Sequence, residues 1–167
     1  RIITIKNVQD GQIDTTGAAY IDELPQRMKS GCLLQVGDAL LSLTGNVGRT
    51  GIVCENGLLL NQRVAKIVPH RKELLPLLYF IFRQPSMKTQ LESIAKGTAQ
   101  LNLSPVETLK LSVPYDVEVS LKLANALAPI YQAVIANNQQ SLILASIRDL
   151  LLPKLMSGEL DVSDIQL

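Results

Sequence analysis

Residues 117–160 read VEVSLKLANALAPIYQAVIANNQQSLILASIRDLLLPKLMSGEL, with no glycine before Gly158. Within this stretch one row of positions recurs at alternating steps of four and three, the heptad period of a helix that packs along another helix. A second row of small and apolar residues widens the face beyond what a free helix would carry. The stretch therefore predicts a long helix that needs a partner helix. The apolar residues that we expect to make this pairing, called the seam below, are Leu123, Leu127, Ile130, Val134, Leu144 and Leu151.

Two features of this predicted helix leave its course open. Asn137, Asn138 and Ser141 place polar groups near its middle, which costs stability but can fix the register of a helix pair. Pro129 either kinks one continuous helix or begins a second helix after the first ends near Leu127. Gly158 is a plausible terminator.

The sequence before Pro114 has a different character and predicts a mixed domain. Short apolar runs alternate with Gly, Asn and Asp, and Asp10-Gly11 predicts a tight turn. The spacing predicts helices over Glu73–Arg83 and over Ser86–Ala95, the second capped by Ser86. We therefore expect an α+β chain, with a mixed domain over 1–116 and a long helix and tail over 117–167. The predicted strands are Ile2–Lys6, Ala39–Leu43, Ile52–Cys54, Arg63–Val68 and Leu109–Val113.

Composition excludes several classes of protein. The chain has 167 residues, one histidine and two cysteines, too few ligands for a zinc centre and too few cysteines for a disulfide framework. No uninterrupted apolar run approaches the ~18 residues of a membrane span. We therefore expect a cytoplasmic chain with no catalytic residues, no metal and no cofactor. Because the chain begins with Arg1 and not Met, we also expect a piece of a longer protein.

Charge is distributed unevenly along the chain. The net charge is only +1, but residues 62–110 contain 8 basic and 3 acidic side chains. A basic stretch of this kind either is an ordinary solvated surface or binds nucleic acid.

Three polar segments are candidates for such binding. The loop Gly45–Gly51 lacks the spacing of a phosphate-binding P-loop, so it is either a plain loop between strands or one that presents its side chains to DNA. Asn61–Arg63 and Lys96–Ser104 also contain Asn, Gln and Arg, which read adenine and guanine edges in the major groove. In both, strand-end capping or an ordinary surface loop is the simpler interpretation. The candidate DNA-binding residues are Asn46, Arg49, Gln62, Arg63, Lys96, Thr98, Gln100 and Asn102.

Four segments in order resemble one family. The tail Arg148–Val162 resembles the segment that closes a domain-plus-helix repeat in the DNA specificity subunits of type I restriction–modification systems. Residues 37–45 (GDALLSLTG), 60–65 (LNQRVA) and 97–103 (GTAQLNL) resemble further segments of that family. The sequence departs from the family at 114–117 (PYDV), which lacks the usual Pro-Pro-Leu followed by Glu-Gln.

The resemblance implies a non-catalytic target recognition domain with its spacer helix. The domain would read one half of a split target in double-stranded DNA. The helix would pair as an antiparallel coiled coil with that of a second recognition domain or of a second copy of this chain. Modification subunits, which carry out adenine methylation, would dock around the helices, and a restriction and translocase subunit would join through the complex.

Two other classes remain open from the sequence alone. A coiled-coil scaffold or toxin–antitoxin-like interaction protein would use the same helix without reading DNA. A hydrolase or nucleotide-binding enzyme is the third class, and a nucleotide-dependent shift in melting temperature would favour it.

Overall fold

The computed structural model describes residues 1–97 and 99–160. In this part of the chain five short strands come first and four α-helices follow, the last of them long, which confirms the α+β fold. The strands are β1 (Ile2–Ile3), β2 (Ala39–Ser42), β3 (Thr50–Ile52), β4 (Leu59–Leu60) and β5 (Val64–Lys66). The helices are α1 (Leu75–Phe82), α2 (Pro85–Ile94), α3 (Pro105–Thr108) and α4 (Val117–Met156).

β2 is the centre of the domain. It pairs antiparallel with β3 on one side and with β5 on the other, so that Leu40 lies opposite Gly51 and Lys66. Every residue of β2 is buried, which explains why its sequence is a continuous apolar run and not an alternating one. β1 and β4 form a separate parallel pair.

β1, β2 and β5 are shorter than predicted, β3 begins two residues earlier, β4 was not predicted, and one predicted strand is absent. Residues 109–113 form no strand, because the backbone turns back on α3: the amides of Leu109 and Leu111 donate to the carbonyls of Pro105 and Thr108. The side chains of Leu111 and Val113 nevertheless pack against a buried apolar cluster. The apolar residues of this segment therefore reflect side-chain packing against the core and not the pairing of a strand.

The start of α2 also differs from the prediction. The helix begins at Pro85, and no side-chain hydrogen bond caps it. Proline favours the first position of a helix because its φ is already helical and its missing N–H needs no partner there. Ser86 therefore lies inside the helix, and its predicted role as a cap was wrong.

α4 is one continuous helix of 40 residues, about 60 Å long. Asp116 caps its start, because its carboxylate accepts a hydrogen bond from the Val119 amide at 2.9 Å, and the helix ends before Gly158, which has a φ of 74°. The interpretation that a second helix starts at Pro129 was wrong. Pro129 is exposed, and so is Asn125, whose carbonyl loses its helical donor to the proline; both lie on a side of α4 that is open to solvent.

The first half of α4 packs against the domain. Tyr131 and Ile135 are buried in one cluster with Ala39 of β2 and Ile52 of β3, and the Tyr131 hydroxyl donates to the Gly37 carbonyl at 2.7 Å. By length and composition alone α4 is also capable of crossing a membrane, which the search for uninterrupted apolar runs missed. A single helix of this kind is weak evidence for a span, especially when half of it packs on a domain.

The boundary at residue 116 coincides with the cap of α4. However, α4 also contributes to the core beside β2 and β3, so the helix is not structurally separate from the domain. The division into a domain over 1–116 and a helix over 117–167 therefore stays a prediction. Residues 161–167 of that segment lie outside the described residues.

Candidate nucleic-acid interface

The three polar segments singled out from the sequence meet at the end of β2. Leu43 joins two of them, because its amide donates to the Arg63 carbonyl at 2.9 Å and its carbonyl accepts from the Leu103 amide at 2.7 Å. The Gly45 amide donates to the Leu101 carbonyl at 2.9 Å. Backbone hydrogen bonds therefore place the 43–49 loop beside both the 61–63 turn and the 96–103 loop.

A cleft of about 370 Å³ opens where the first and third segments meet. Polar side chains dominate its lining. Three of the predicted DNA-binding residues, Asn46, Arg49 and Gln100, line this cleft together. The full lining is Ile5, Lys6, Gln9, Thr44, Gly45, Asn46, Arg49 and Gln100.

Arg49 is half-buried at this cleft and held from two sides. Its Nη1 donates to Gln9 Oε1 at 2.8 Å. With the Asn46 amide oxygen turned toward the guanidinium, both Nη atoms also lie 3.2 Å from that oxygen. Because five donors are available on an arginine, these contacts leave N–H groups free for a ligand in the cleft.

Asn102 has a structural role in the neighbouring loop. Its backbone exchanges two hydrogen bonds with Lys96, at 2.7 and 2.8 Å, and its side-chain oxygen accepts from Thr44 Oγ1 at 3.0 Å. Its side-chain nitrogen donates to the Gln100 carbonyl at 3.2 Å. These contacts shape the loop that presents the exposed side chain of Gln100.

The other predicted residues that the structure describes do not line the cleft. Gln62 and Arg63 are exposed in the turn between β4 and β5, where Arg63 has a left-handed φ of 68°. That conformation is costly for a residue with a side chain, and it orients the carbonyl that Leu43 uses. Lys96 is exposed at the start of its loop. Thr98 lies outside the described residues.

Among the lining residues that sequence reasoning missed, Lys6 and Gln9 have side chains suited to binding. They follow β1 and lie far from the other segments in sequence, so no local pattern joined them to the site. A further lysine, Lys88 of α2, packs its aliphatic stem against Gly48. Within residues 1–97 and 99–160, no carboxylate forms an ion pair with Lys6, Arg49 or Lys88. Their positive charge is thus available to an anionic ligand.

The seam of α4 is divided between the domain and solvent. Leu123, Ile130, Leu144 and Leu151 are exposed. Leu127 and Val134 are half-buried, and Val134 packs against the cluster that contains Tyr131. The residues buried against the domain, Ala124, Tyr131 and Ile135, belong to the second row beside the seam.

The described residues contain no group of three or more His, Cys, Asp or Glu side chains that could hold a metal ion. The described surface thus offers a polar, positively charged cleft and, separately, an exposed helix seam.

Comparison with known proteins identifies relatives of this chain. A scan against protein-family models finds no match. The type I restriction enzyme HindI specificity subunit of Haemophilus influenzae is 30% identical over 132 residues, covering 77% of this chain and 26% of that protein. The type I restriction enzyme MjaIX specificity subunit of Methanocaldococcus jannaschii is 35% identical over 72 residues, covering 42% and 16%.

The chain thus spans about a quarter of the length of the first relative and less of the second. Both relatives are type I restriction enzyme specificity subunits, the family that the four sequence segments resemble. The resemblance is therefore confirmed: this chain is a relative of the specificity subunits of type I restriction enzymes.

Proposed function

We propose that this chain reads one half of a split target in double-stranded DNA as the recognition part of a type I specificity subunit. It is non-catalytic and requires no cofactor of its own. It directs adenine methylation by modification subunits, and DNA cleavage by a restriction and translocase subunit, in the cytoplasm. The kinship with specificity subunits favours this function over a scaffold without a DNA role.

The observation that carries the proposal is the cleft lined by Lys6, Asn46, Arg49 and Gln100. Arginine and the amide side chains are the groups that make paired hydrogen bonds with guanine and adenine edges. Lysine makes the less specific contacts to phosphates that orient a protein on the duplex. Arg49, Asn46 and Gln100 therefore suit base reading, whereas Lys6 and Lys88 suit the flanking phosphates.

The exposed seam supports pairing of α4 with a second helix. Leu123, Ile130, Leu144 and Leu151 face away from the domain, where they are free to pack against an antiparallel helix. The partner helix belongs to a second recognition domain or to a second copy of this chain. A rigid helix of 40 residues then fixes the distance between two recognition domains, and modification subunits dock around the helix pair.

The test is a comparison of methylated sequences. The complete protein is expressed with its modification subunits in a host free of adenine methylation, and the modified adenines are mapped by sequencing. Arg49→Ala and Gln100→Ala are compared with Arg27→Ala, an exposed arginine that does not line the cleft. We expect each cleft variant to lose about 1–3 kcal/mol of discrimination at one base pair of the target.

Arg27→Ala is expected to keep the wild-type methylation pattern. An unchanged pattern in both cleft variants would refute the assignment of the cleft. Salt dependence separates DNA reading from a scaffold, because DNA binding weakens steeply with salt whereas apolar helix pairing does not.

A further inference from the structure

The turn Gln9–Gln12 lies between α4 and the cleft and contacts both. It joins the bridge-paired residues Val8 and Ile13, and its Gly11 has a φ of 91°. Only glycine adopts this conformation without strain. The turn is therefore a defined structure and not a loose loop.

On the side of α4, Asn138 fixes the turn. Its side-chain nitrogen donates to the Gly11 carbonyl at 3.1 Å, and the Tyr79 hydroxyl approaches the same carbonyl at 3.5 Å. The sequence pattern placed Asn138 near the helix pairing surface, where a polar residue would set register. In the structure this residue instead links α4 to the domain.

On the side of the sheet, β3 holds the turn. The Gly11 amide donates to the Thr50 carbonyl at 2.9 Å. Gly51 lies so close to the Gln12 carbonyl that a side-chain Cβ at this position would collide with it. The close approach leaves the turn little room to shift relative to β3.

On the side of the cleft, the turn carries the acceptor for Arg49. Gln9 Oε1 accepts from Arg49 Nη1 at 2.8 Å. An arginine in water samples many rotamers, and ordering it on binding costs free energy. A residue that holds the guanidinium before DNA arrives removes part of that cost.

We propose that Gln9 and Asn138 are positioning residues for sequence reading, with Gln9 orienting the Arg49 guanidinium and Asn138 fixing the turn that carries Gln9. This inference rests on the proposed function, because it assumes that Arg49 reads DNA. It adds a physical link from the spacer helix to the recognition cleft, running from Asn138 through Gly11 and Gln9 to Arg49.

The test uses two variants with matched controls. Gln9→Met keeps the length of the side chain but removes the acceptor, and Gln12→Met is its control in the same turn. Asn138→Ala removes the donor to Gly11, and Asn125→Ala, at an exposed asparagine of α4 that lies off the seam, is its control. The complete protein is assembled with its modification subunits. Methylation rates are measured on the target and on every single base-pair variant of it, with Arg49→Ala as the reference.

We expect Gln9→Met and Asn138→Ala to lose discrimination about three- to tenfold, because each removes one hydrogen bond and leaves Arg49 itself in place. The loss is expected at the same base pair that Arg49→Ala affects and at no other. Both controls are expected to keep the wild-type profile. Melting temperature is measured in parallel, and because Gln9 lies at the cleft surface, Gln9→Met tests the proposal even where Asn138→Ala fails to fold.

Two outcomes would overturn the proposal in distinguishable ways. If Arg49→Ala alters discrimination but Gln9→Met and Asn138→Ala match their controls, Arg49 reads DNA without positioning by the turn, and the proposed function stands. If Arg49→Ala also matches the wild type at every base pair, nothing is left to position, and the assignment of the cleft falls as well.

Discussion

The two halves of α4 are similarly apolar in sequence, yet only the first half is buried. Ser120, Ala124, Tyr131 and Ile135 all pack against the domain. Between residues 142 and 156 no side chain is buried. The exposed large apolar residues there are Leu142, Ile143, Leu144, Ile147, Leu150, Leu151, Leu152, Leu155 and Met156.

The difference shows which residue types mark each kind of contact. The half that packs on its own domain uses two small residues and an isoleucine, a tyrosine that donates to Gly37 and two amides that donate to Gly11 and Cys54. The free half offers exposed aliphatic side chains on most sides of the helix, while its Leu142, Ala145 and Ser146 line a cleft together with domain residues. Soluble monomers rarely leave apolar patches of this extent in water, so we expect a partner to cover the free half.

The largest effect is expected from charges in the seam. Leu144→Glu with Leu151→Glu is expected to weaken helix pairing by about 3 kcal/mol or more, because each buried leucine contributes about 1.5–3 kcal/mol. Light scattering on this chain over a concentration series measures the change. Gln132→Glu with Gln140→Glu adds the same charge off the seam and serves as the control. Identical self-association of both pairs of variants would contradict the assignment of the seam.

The next effect compares two isoleucines on opposite sides of α4. Ile135 is 5% exposed and Ile130 is 52% exposed. We expect Ile135→Ala to lower the free energy of unfolding by about 2–5 kcal/mol, the usual cost of emptying a buried site. Ile130→Ala is expected to cost much less in a dilute monomeric sample. Equal decreases in the free energy of unfolding of the two variants, measured with urea, would contradict the described packing of α4 on the domain.

A smaller effect is expected from one hydroxyl group. Tyr131→Phe removes the hydrogen bond to the Gly37 carbonyl and is expected to cost about 0.5–1.5 kcal/mol. Burial raises the pKa of Tyr131 above its ordinary value. The protonated phenol therefore stabilises the fold below pH ~10, and this contribution is lost as the pH rises through the folded pKa.

Alkaline unfolding curves measure this contribution. Wild-type protein is expected to lose stability above pH ~10 more steeply than Tyr131→Phe, because the variant has one fewer buried phenol to ionise. Burial also raises the pKa of Tyr79, which remains in both proteins, so the slope decreases but does not vanish. Parallel curves for the two proteins would count against the buried contact.

The smallest effect is expected from Gln139, at the rim of the contact between α4 and the domain. Gln139 donates to the Cys54 carbonyl at 3.0 Å, and burial raises the pKa of the Cys54 thiol. Because the thiolate is the reactive form, we expect Cys54 to be alkylated more slowly at pH 8 than the half-buried Cys32.

Gln139→Ala is expected to speed the alkylation of Cys54 about twofold to threefold, because it loosens the contact that covers the thiol. A change of this size corresponds to the low end of the free energy that one hydrogen bond contributes. Gln140→Ala, its exposed neighbour, leaves the rate unchanged. Mass spectrometry over a time course follows both cysteines. Faster reaction of Cys54 than of Cys32 in the wild type would mean that α4 leaves the domain in solution.

Local patterns predicted much of the fold. The heptad spacing predicted the long helix, and the apolar run 39–43 predicted β2. Patterns failed where contacts with distant residues decide the outcome: Leu111 and Val113 pack without pairing as a strand, and Pro129 stays within α4 because its side of the helix faces water.

The candidate site was predictable only in part, for the same reason. Asn46, Arg49 and Gln100 were chosen for their side-chain chemistry, and the fold brings them to one cleft. Lys6 and Gln9 join them through the placement of β1 beside β4, a parallel pairing over more than fifty residues that no local spacing reveals. Asn138 looked like a helix pairing residue until its contact with Gly11 was visible.

The most direct test of sequence reading by this chain is a methylation map after an exchange of its recognition part. Residues 1–116 are replaced by the corresponding part of another type I specificity subunit, with α4 and the modification subunits kept. The account predicts a split target in which the spacing remains while one half changes, or both halves change where the partner helix belongs to a second copy of this chain. An unchanged target, modified by a stable and active complex, would contradict it and leave this chain as a scaffold.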